Sequence, residues 1–321
     1  MKRPILLSAI LTILLVACSS KPGAEAASVA EPTDTIAAPA FNADSARALI
    51  AEQCAFGPRV PGTEAHRRCG DRIEALLRRY ADTVMVQTAE LTTFDGTRLQ
   101  ARNFIAELNP QAEQRVLLVA HWDCRPWADK DPDPAKRHMP VMGANDGASG
   151  VAVIIEVLRC LAAARPHIGI DVLLTDVEDW GESNDDSSWA LGTQYWAAHQ
   201  HRDNYRPIHA ILLDMVGGEA SVFAPEHFSL QAAPATVRLF WEHGRQVNPA
   251  IFTLERGTAV TDDHVPLQRA GIRCIDVIGT RADAPYDFVP QWHTTADTLD
   301  HISTATLAAV GQALLNFLYS L

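Results

Sequence analysis

Four short runs of almost unbroken apolar residues constrain this chain most: Val116 to Trp122, Ile170 to Thr175, Ala210 to Met215 and Arg273 to Ile278. A strand that is apolar on both of its alternating faces has to be covered on both, which is the pattern of a parallel sheet held between helices. Helical stretches fall between these runs, at Gly147–Ala164, Ser188–His199, Thr236–Gln246 and Asp263–Ala270, and a last one spans Ser303–Leu321. Earlier come two helix candidates, Ala43–Phe56 and Glu64–Tyr80, and a strand pair, Val84–Phe94 with Leu99–Leu108, around the turn Asp95-Gly96. The fold class that follows is α/β in three layers: a central, mostly parallel, twisted mixed sheet flanked by helices.

The first residues stand apart from that pattern. Lys2 and Arg3 precede an apolar run, Ile5 to Val16, of secretory length; a permanent spanning helix needs ~20 such residues. The run ends in Leu15-Val16-Ala17-Cys18, which resembles a bacterial lipobox and implies cleavage after residue 17 and lipidation at Cys18. An ordinary cleaved signal with Cys18 incidental is the alternative. Residues 18–40 are rich in Ala, Pro, Thr, Ser and Glu without periodicity, and are expected to form a flexible tether. Residues 41–321 then make one large α/β domain. The expected location is an exported, membrane-anchored lipoprotein, on the periplasmic side of an outer membrane or at the cell surface.

A net charge of −12 argues against nucleic acid and against membrane contact other than the lipid anchor. Besides Cys18 there are Cys54, Cys69, Cys124, Cys160 and Cys274, none in a Cys-x-x-Cys or Cys/His zinc spacing. In an oxidising compartment Cys54 and Cys69 could bridge the first two helices; free buried thiols are the alternative.

Chemistry collects where the buried strands end. The first ends in His121-Trp122-Asp123, the second in Asp176-Val177-Glu178-Asp179 and the third at Asp214; Trp292-His293 follow the fourth, and Gly143-Ala144-Asn145-Asp146-Gly147 opens a helix. In open α/β sheets the working site lies beyond the carboxyl ends of the strands. Crowded unpaired charges are costly, and a bound cation resolves them. Nitrogen and oxygen donors without thiolate suit a catalytic zinc with one open position. Individually these residues are ordinary turn formers and caps; their common placement is the signal.

In this order and spacing, HWD, GANDGASGV, DVED, LLD and WHT resemble the zinc aminopeptidase superfamily, over roughly residues 115–321. That superfamily holds di-zinc aminopeptidases and animal-type glutaminyl cyclases, which use one zinc. HWDCRPWADKDPD, SSWALGTQYWA, TDDHVPL and FVPQWHT are similar to the bacterial cyclase branch. The resemblance implies zinc ligands Asp146, Asp179 and His293, with Glu178 as general acid/base. It implies further acidic site residues Asp214 and Asp263, and an aromatic pocket of Trp292 and Phe288. Trp189 is a pocket candidate too, with core packing the competing role for it and for Trp122, Trp127 and Trp180. His121 matches a second-metal ligand of the aminopeptidases, and Asp123 its partner. Asp179 stands where vertebrate cyclases have Glu, and Ala120 where they have a Cys, so the vertebrate disulfide is expected to be absent.

The implied reaction is closure of an N-terminal glutamine to pyroglutamate with release of ammonia, on peptides or proteins that begin with glutamine. The alternatives are di-zinc hydrolysis of N-terminal residues and a non-catalytic peptide-binding lipoprotein.

Overall fold

A computed structural model describes residues 37–284 and 287–321. The expected signal sequence, Cys18 and most of the expected tether lie outside the described residues.

Two helices come first. α1 (Ala43–Cys54) is capped by Asn42, whose side chain accepts from the Ser45 N–H. α2 (Glu64–Tyr80) is capped by Thr63 accepting from His66, and buries Cys69, Ile73, Leu76 and Leu77 on one stripe. A long hairpin follows, β1 (Thr83–Thr92) and β2 (Arg98–Leu108). Next come β3 (Arg115–His121), α3 (Ala148–Ala163), β4 (Gly169–Thr175), α4 (Leu191–Ala198), β5 (His209–Asp214) and the short β6 (Ser221–Val222). The chain ends with α5 (His227–Ala232), α6 (Pro234–Val247), α7 (His264–Arg269), β7 (Cys274–Ile278), β8 (Thr280–Arg281) and α8 (Thr304–Tyr319).

Six strands form one sheet in the order β1-β2-β4-β3-β5-β7. β4, β3, β5 and β7 run parallel, while β2 joins β4 antiparallel and carries β1 at the edge. Every residue of β3, β4 and β7 is buried, as strands covered on both faces require. The larger core lies between one face of the sheet and α1, α2, α3, α6 and α8; a smaller one, with Leu117, Val119, Leu212 and Trp196, fills the other face.

Three details depart from the expectations. The stretch Ser188–His199 is not one helix: Trp189 is extended and Ala190 has φ +55°, so α4 starts only at Leu191. The N–H groups of Ala190 and Leu191 donate to the carbonyls of Glu178 and Val177, and those bonds replace a helical turn. The pair β6–β8 and the helix α5 were too short to show a periodic signal. Cys54 and Cys69 are free thiols rather than a disulfide. Cys69 is fully buried among apolar side chains and Cys54 lies at the margin of the same core, both acting as small apolar groups.

Candidate active site

The parallel strands all point their carboxyl ends to one rim. His121 ends β3, Glu178 and Asp179 follow β4, and Asp214 ends β5. Asp146 lies just before α3, in a loop that depends on Gly147. That residue has φ +88°, and a Cβ there would sit 2.4 Å from the Asp123 carbonyl oxygen, so only glycine fits. Asp297 accepts from the N–H groups of Asn145 and Asp146 at 2.8 and 3.0 Å, fixing the same loop. Asp123 does this for the next ligand loop, accepting from the N–H groups of Glu178 and Asp179 at 3.2 Å each. Val177, Met215 and His293 all adopt positive φ, a concentration of backbone strain around one site.

Two three-residue donor groups result, and they share Asp146: Asp146 with Asp179 and His293, and Asp146 with His121 and Asp214. His293 Nε2 lies 3.4 Å from Asp179 Oδ1 and 3.6 Å from Asp146 Oδ2. His121 Nε2 lies 3.0 Å from Asp146 Oδ1 and 3.2 Å from Asp214 Oδ1. All five side chains are buried, and Asp179 Oδ2 has no hydrogen-bond partner among the described residues. An unpartnered carboxylate oxygen among imidazoles and further carboxylates is the donor set that a divalent cation completes.

The electrostatics agree. Burial opposes charge on Asp146, yet His121 and His293 hold its carboxyl below the ordinary range. Burial pushes the Asp214 carboxyl up to about 6, although the His121 hydrogen bond works the other way. Glu178 is pushed well above the usual carboxylate range by burial, with His121 opposing and the charges of Asp262, Asp179 and Asp263 adding to it. A raised carboxyl beside a metal-type donor set, without belonging to it, suits proton transfer near neutral pH.

A cavity of ≈ 90 Å³ opens over this cluster, lined by Glu178, Asp179, Trp189, Asp214, Asp262, Phe288, Trp292 and His293 among others. Roughly 300–1,000 Å³ is usual for drug-sized ligands, so this is a slot for one small group. Trp292 stacks on His293 at 3.9 Å and Phe288 packs on Trp292 at 4.6 Å. Trp189 lies parallel to His293 at 6.1 Å, placed by the break before α4. Trp122 is fully buried and stacks on His66 at 4.1 Å, a core role. Trp127 packs edge-on against Trp180 and against Phe94 of the β1–β2 hairpin.

Asp263 does not line the cavity. Its two oxygens accept from the hydroxyls of Thr175 and Thr193 at 2.6 and 2.5 Å, behind the rim. Its neighbour Asp262 faces the cavity instead, because the backbone enters α7 at Asp263 and turns successive side chains apart. Arg125 and Asp297 were not singled out from the sequence, and Asp129 was read only as the start of an acidic loop, Asp129–Asp133. Arg125 sits in the HWDCRPWAD stretch, and the signal available there was a lone basic residue among acids.

Residues 103–318 match peptidase family M28. The chain is 41% identical to the glutaminyl cyclase of Bacteroides thetaiotaomicron, solved with N-acetylhistamine bound, with a TM-score of 0.86 over 89% of this chain and 100% of that one. It is 43% identical to a Zn-dependent exopeptidase of Parabacteroides distasonis, with a TM-score of 0.85 over 89% and 100%. Among curated proteins, the mouse glutaminyl-peptide cyclotransferase-like protein is 25% identical over 292 residues, covering 81% of this chain and 71% of that one. With the donor sets on one rim and the match spanning most of the described domain, the chain belongs to peptidase family M28 and is an enzyme of the zinc aminopeptidase-like fold.

Proposed function

We propose that this enzyme cyclises N-terminal glutamine of peptides and proteins to pyroglutamate and releases ammonia. The observation that carries this reading is the small aromatic slot, with Trp292 stacked on His293 directly over the Asp146–Asp179–His293 donor set. The similarity to bacterial and animal glutaminyl cyclases supports it.

Asp146, Asp179 and His293 would hold one zinc. Bound there, zinc supplies Lewis acidity toward the γ-carbonyl oxygen of the glutamine side chain. The aromatic walls of Trp189, Phe288 and Trp292 exclude water and fold the side chain so that its own α-amine faces the side-chain amide carbon. Because nucleophile and electrophile belong to one molecule, orientation supplies much of the rate. The amine nitrogen bonds to the side-chain amide carbon, Cδ, as Glu178 takes a proton from it. The bond from that carbon to the amide nitrogen then breaks as Glu178 returns the proton, and ammonia leaves. Asp214 and Asp262 lie beside this path, where a protonated carboxyl can donate to the departing nitrogen.

Hydrolytic removal of N-terminal residues is the second reading, favoured by one observation: the His121–Asp146–Asp214 group could take a second ion. Incubation with glutamine-initiated peptides separates the two. Ammonia and a pyroglutamyl peptide are the expected products, and free glutamine with a shortened peptide would overturn the cyclase reading. For location, Cys18 as lipid attachment site implies an exported, anchored enzyme; a Cys18→Ala chain that still partitions with membranes would refute it.

A further inference from the structure

Arg125 is buried, with a side chain 2% exposed, and its guanidinium reaches one member of the metal-type donor set, Asp179, and the carboxylate of Asp129 beside another, His293. Nη1 donates to Asp179 Oδ1 at 3.1 Å and to the Asp179 carbonyl at 3.3 Å. Nη2 donates to the Gly181 carbonyl at 3.3 Å. Nε donates to Asp129 Oδ1 at 2.6 Å, and that same oxygen lies 3.4 Å from His293 Nδ1. The guanidinium itself is fixed between two indoles, with Cζ 5.1 Å from the Trp127 ring and 4.8 Å from that of Trp189. One planar cation thus touches a ligand carboxylate, the carboxylate beside a ligand imidazole, and a wall of the slot.

We propose that Arg125 is the positioning residue that sets zinc-binding geometry here: it fixes the rotation of Asp179, leaving one open oxygen, and through Asp129 it holds His293 with Nε2 toward Asp146 and Asp179. A carboxylate facing the far nitrogen of a ligand imidazole selects its tautomer and orients its ring. Asp129 is suited to that role because the Arg125 Nε–H, donating at 2.6 Å, fixes the same oxygen that faces His293 Nδ1. The bidentate fork is what joins the two branches. A lysine ammonium is a point charge that cannot reach both carboxylates in one plane or stack between two indoles in the same way. The shorter Asp179 makes the brace matter, since its carboxylate has less reach to adjust.

This rests on the one-zinc reading, and the two fail separately. Zinc affinity is measured by chelator competition for the wild type, Arg125→Met, Arg125→Lys, Asp129→Asn and the Arg125→Met/Asp129→Asn pair, with far-ultraviolet circular dichroism as a control for folding. Loss of an outer partner of a metal ligand costs ~10–100-fold in affinity, and Arg125→Met should fall in that range. Arg125→Lys should recover part of the loss, and Asp129→Asn should weaken binding by itself. The pair should be no weaker than Arg125→Met, because the Asp129 branch depends on Arg125. Wild-type affinity in Arg125→Met, or full recovery with lysine, would overturn the proposal; the latter would reduce Arg125 to a counter-charge. Asp129 is partly exposed at the rim, so Asp129→Asn should stay folded if Arg125→Met does not, and unchanged zinc affinity in it would overturn the proposal just as well. A wild type that binds no zinc would defeat the one-zinc reading instead.

Discussion

Glu178→Gln is the perturbation that divides base from ligand. The amide has the volume of the carboxylate, and the main chain at 178 remains tied to Asp123 at 3.2 Å, so the fold around it should not move. Glu178 belongs to neither donor group, so zinc content should stay at the wild-type value. A positioned acid/base contributes ~10²–10⁴-fold to rate, about 3–5.5 kcal/mol in the barrier, and turnover should fall by that factor. The pH profile gives a second reading. Burial raises the Glu178 carboxyl above the ordinary range, and a base works only when deprotonated. The kcat/KM of the wild type should therefore climb with pH along a limb above the usual carboxylate region, and that limb should vanish in the variant. Ammonia release from a glutamine-initiated peptide, followed across pH alongside zinc analysis, measures both. Loss of zinc in Glu178→Gln, or activity within about tenfold of wild type, would refute the division of roles.

Gly147→Ala forces a left-handed conformation on an L-residue, at ~1–2 kcal/mol, and drives a Cβ to 2.4 Å from the Asp123 oxygen. The melting temperature and zinc affinity should drop together, because Asp146 is the adjacent residue; unchanged zinc binding would contradict the tight loop. Glu226 caps α5 and accepts from the N–H groups of Phe228 and Ser229. Burial works against its charge, but His264 and those N–H groups hold its carboxyl at about 2 against an ordinary 4.5. A carboxyl lowered on folding stabilises above its unfolded value and loses that contribution as pH falls toward its folded one. Unfolding free energies from urea titrations should thus decline between pH 4.5 and 2 by up to about 3 kcal/mol from this group, and Glu226→Gln should flatten that decline; an unaltered slope would sink the assignment. Cys54 and Cys69 should both alkylate in unreduced, unfolded protein, and a disulfide-linked peptide in its digest would contradict free thiols.

How far the sequence could be read followed from the kind of signal each feature leaves. Buried parallel strands are apolar throughout, so β3, β4, β5 and β7 stood out, and the residues after them marked the rim. Helices with a one-sided stripe, such as α2 with Ile73, Leu76 and Leu77, were readable for the same reason. The break at Trp189 and Ala190 was not, because it is set by hydrogen bonds to the carbonyls of Val177 and Glu178 from a distant strand end. Asp262 and Asp263 are chemically identical neighbours, and only the turn into α7 decides which one faces the cavity. Arg125 escaped for a related reason: its role comes from Asp179 and Trp189, more than fifty positions away in the chain.

Diffraction from crystals of the wild-type enzyme, collected on both sides of the zinc absorption edge, puts the metal reading to a single observation. One anomalous peak is expected between Asp146, Asp179 and His293, with none between His121 and Asp214. Absence of a peak at the first position in zinc-loaded crystals would contradict the arrangement proposed here, and a second peak of equal height beside His121 would replace it with the di-zinc one.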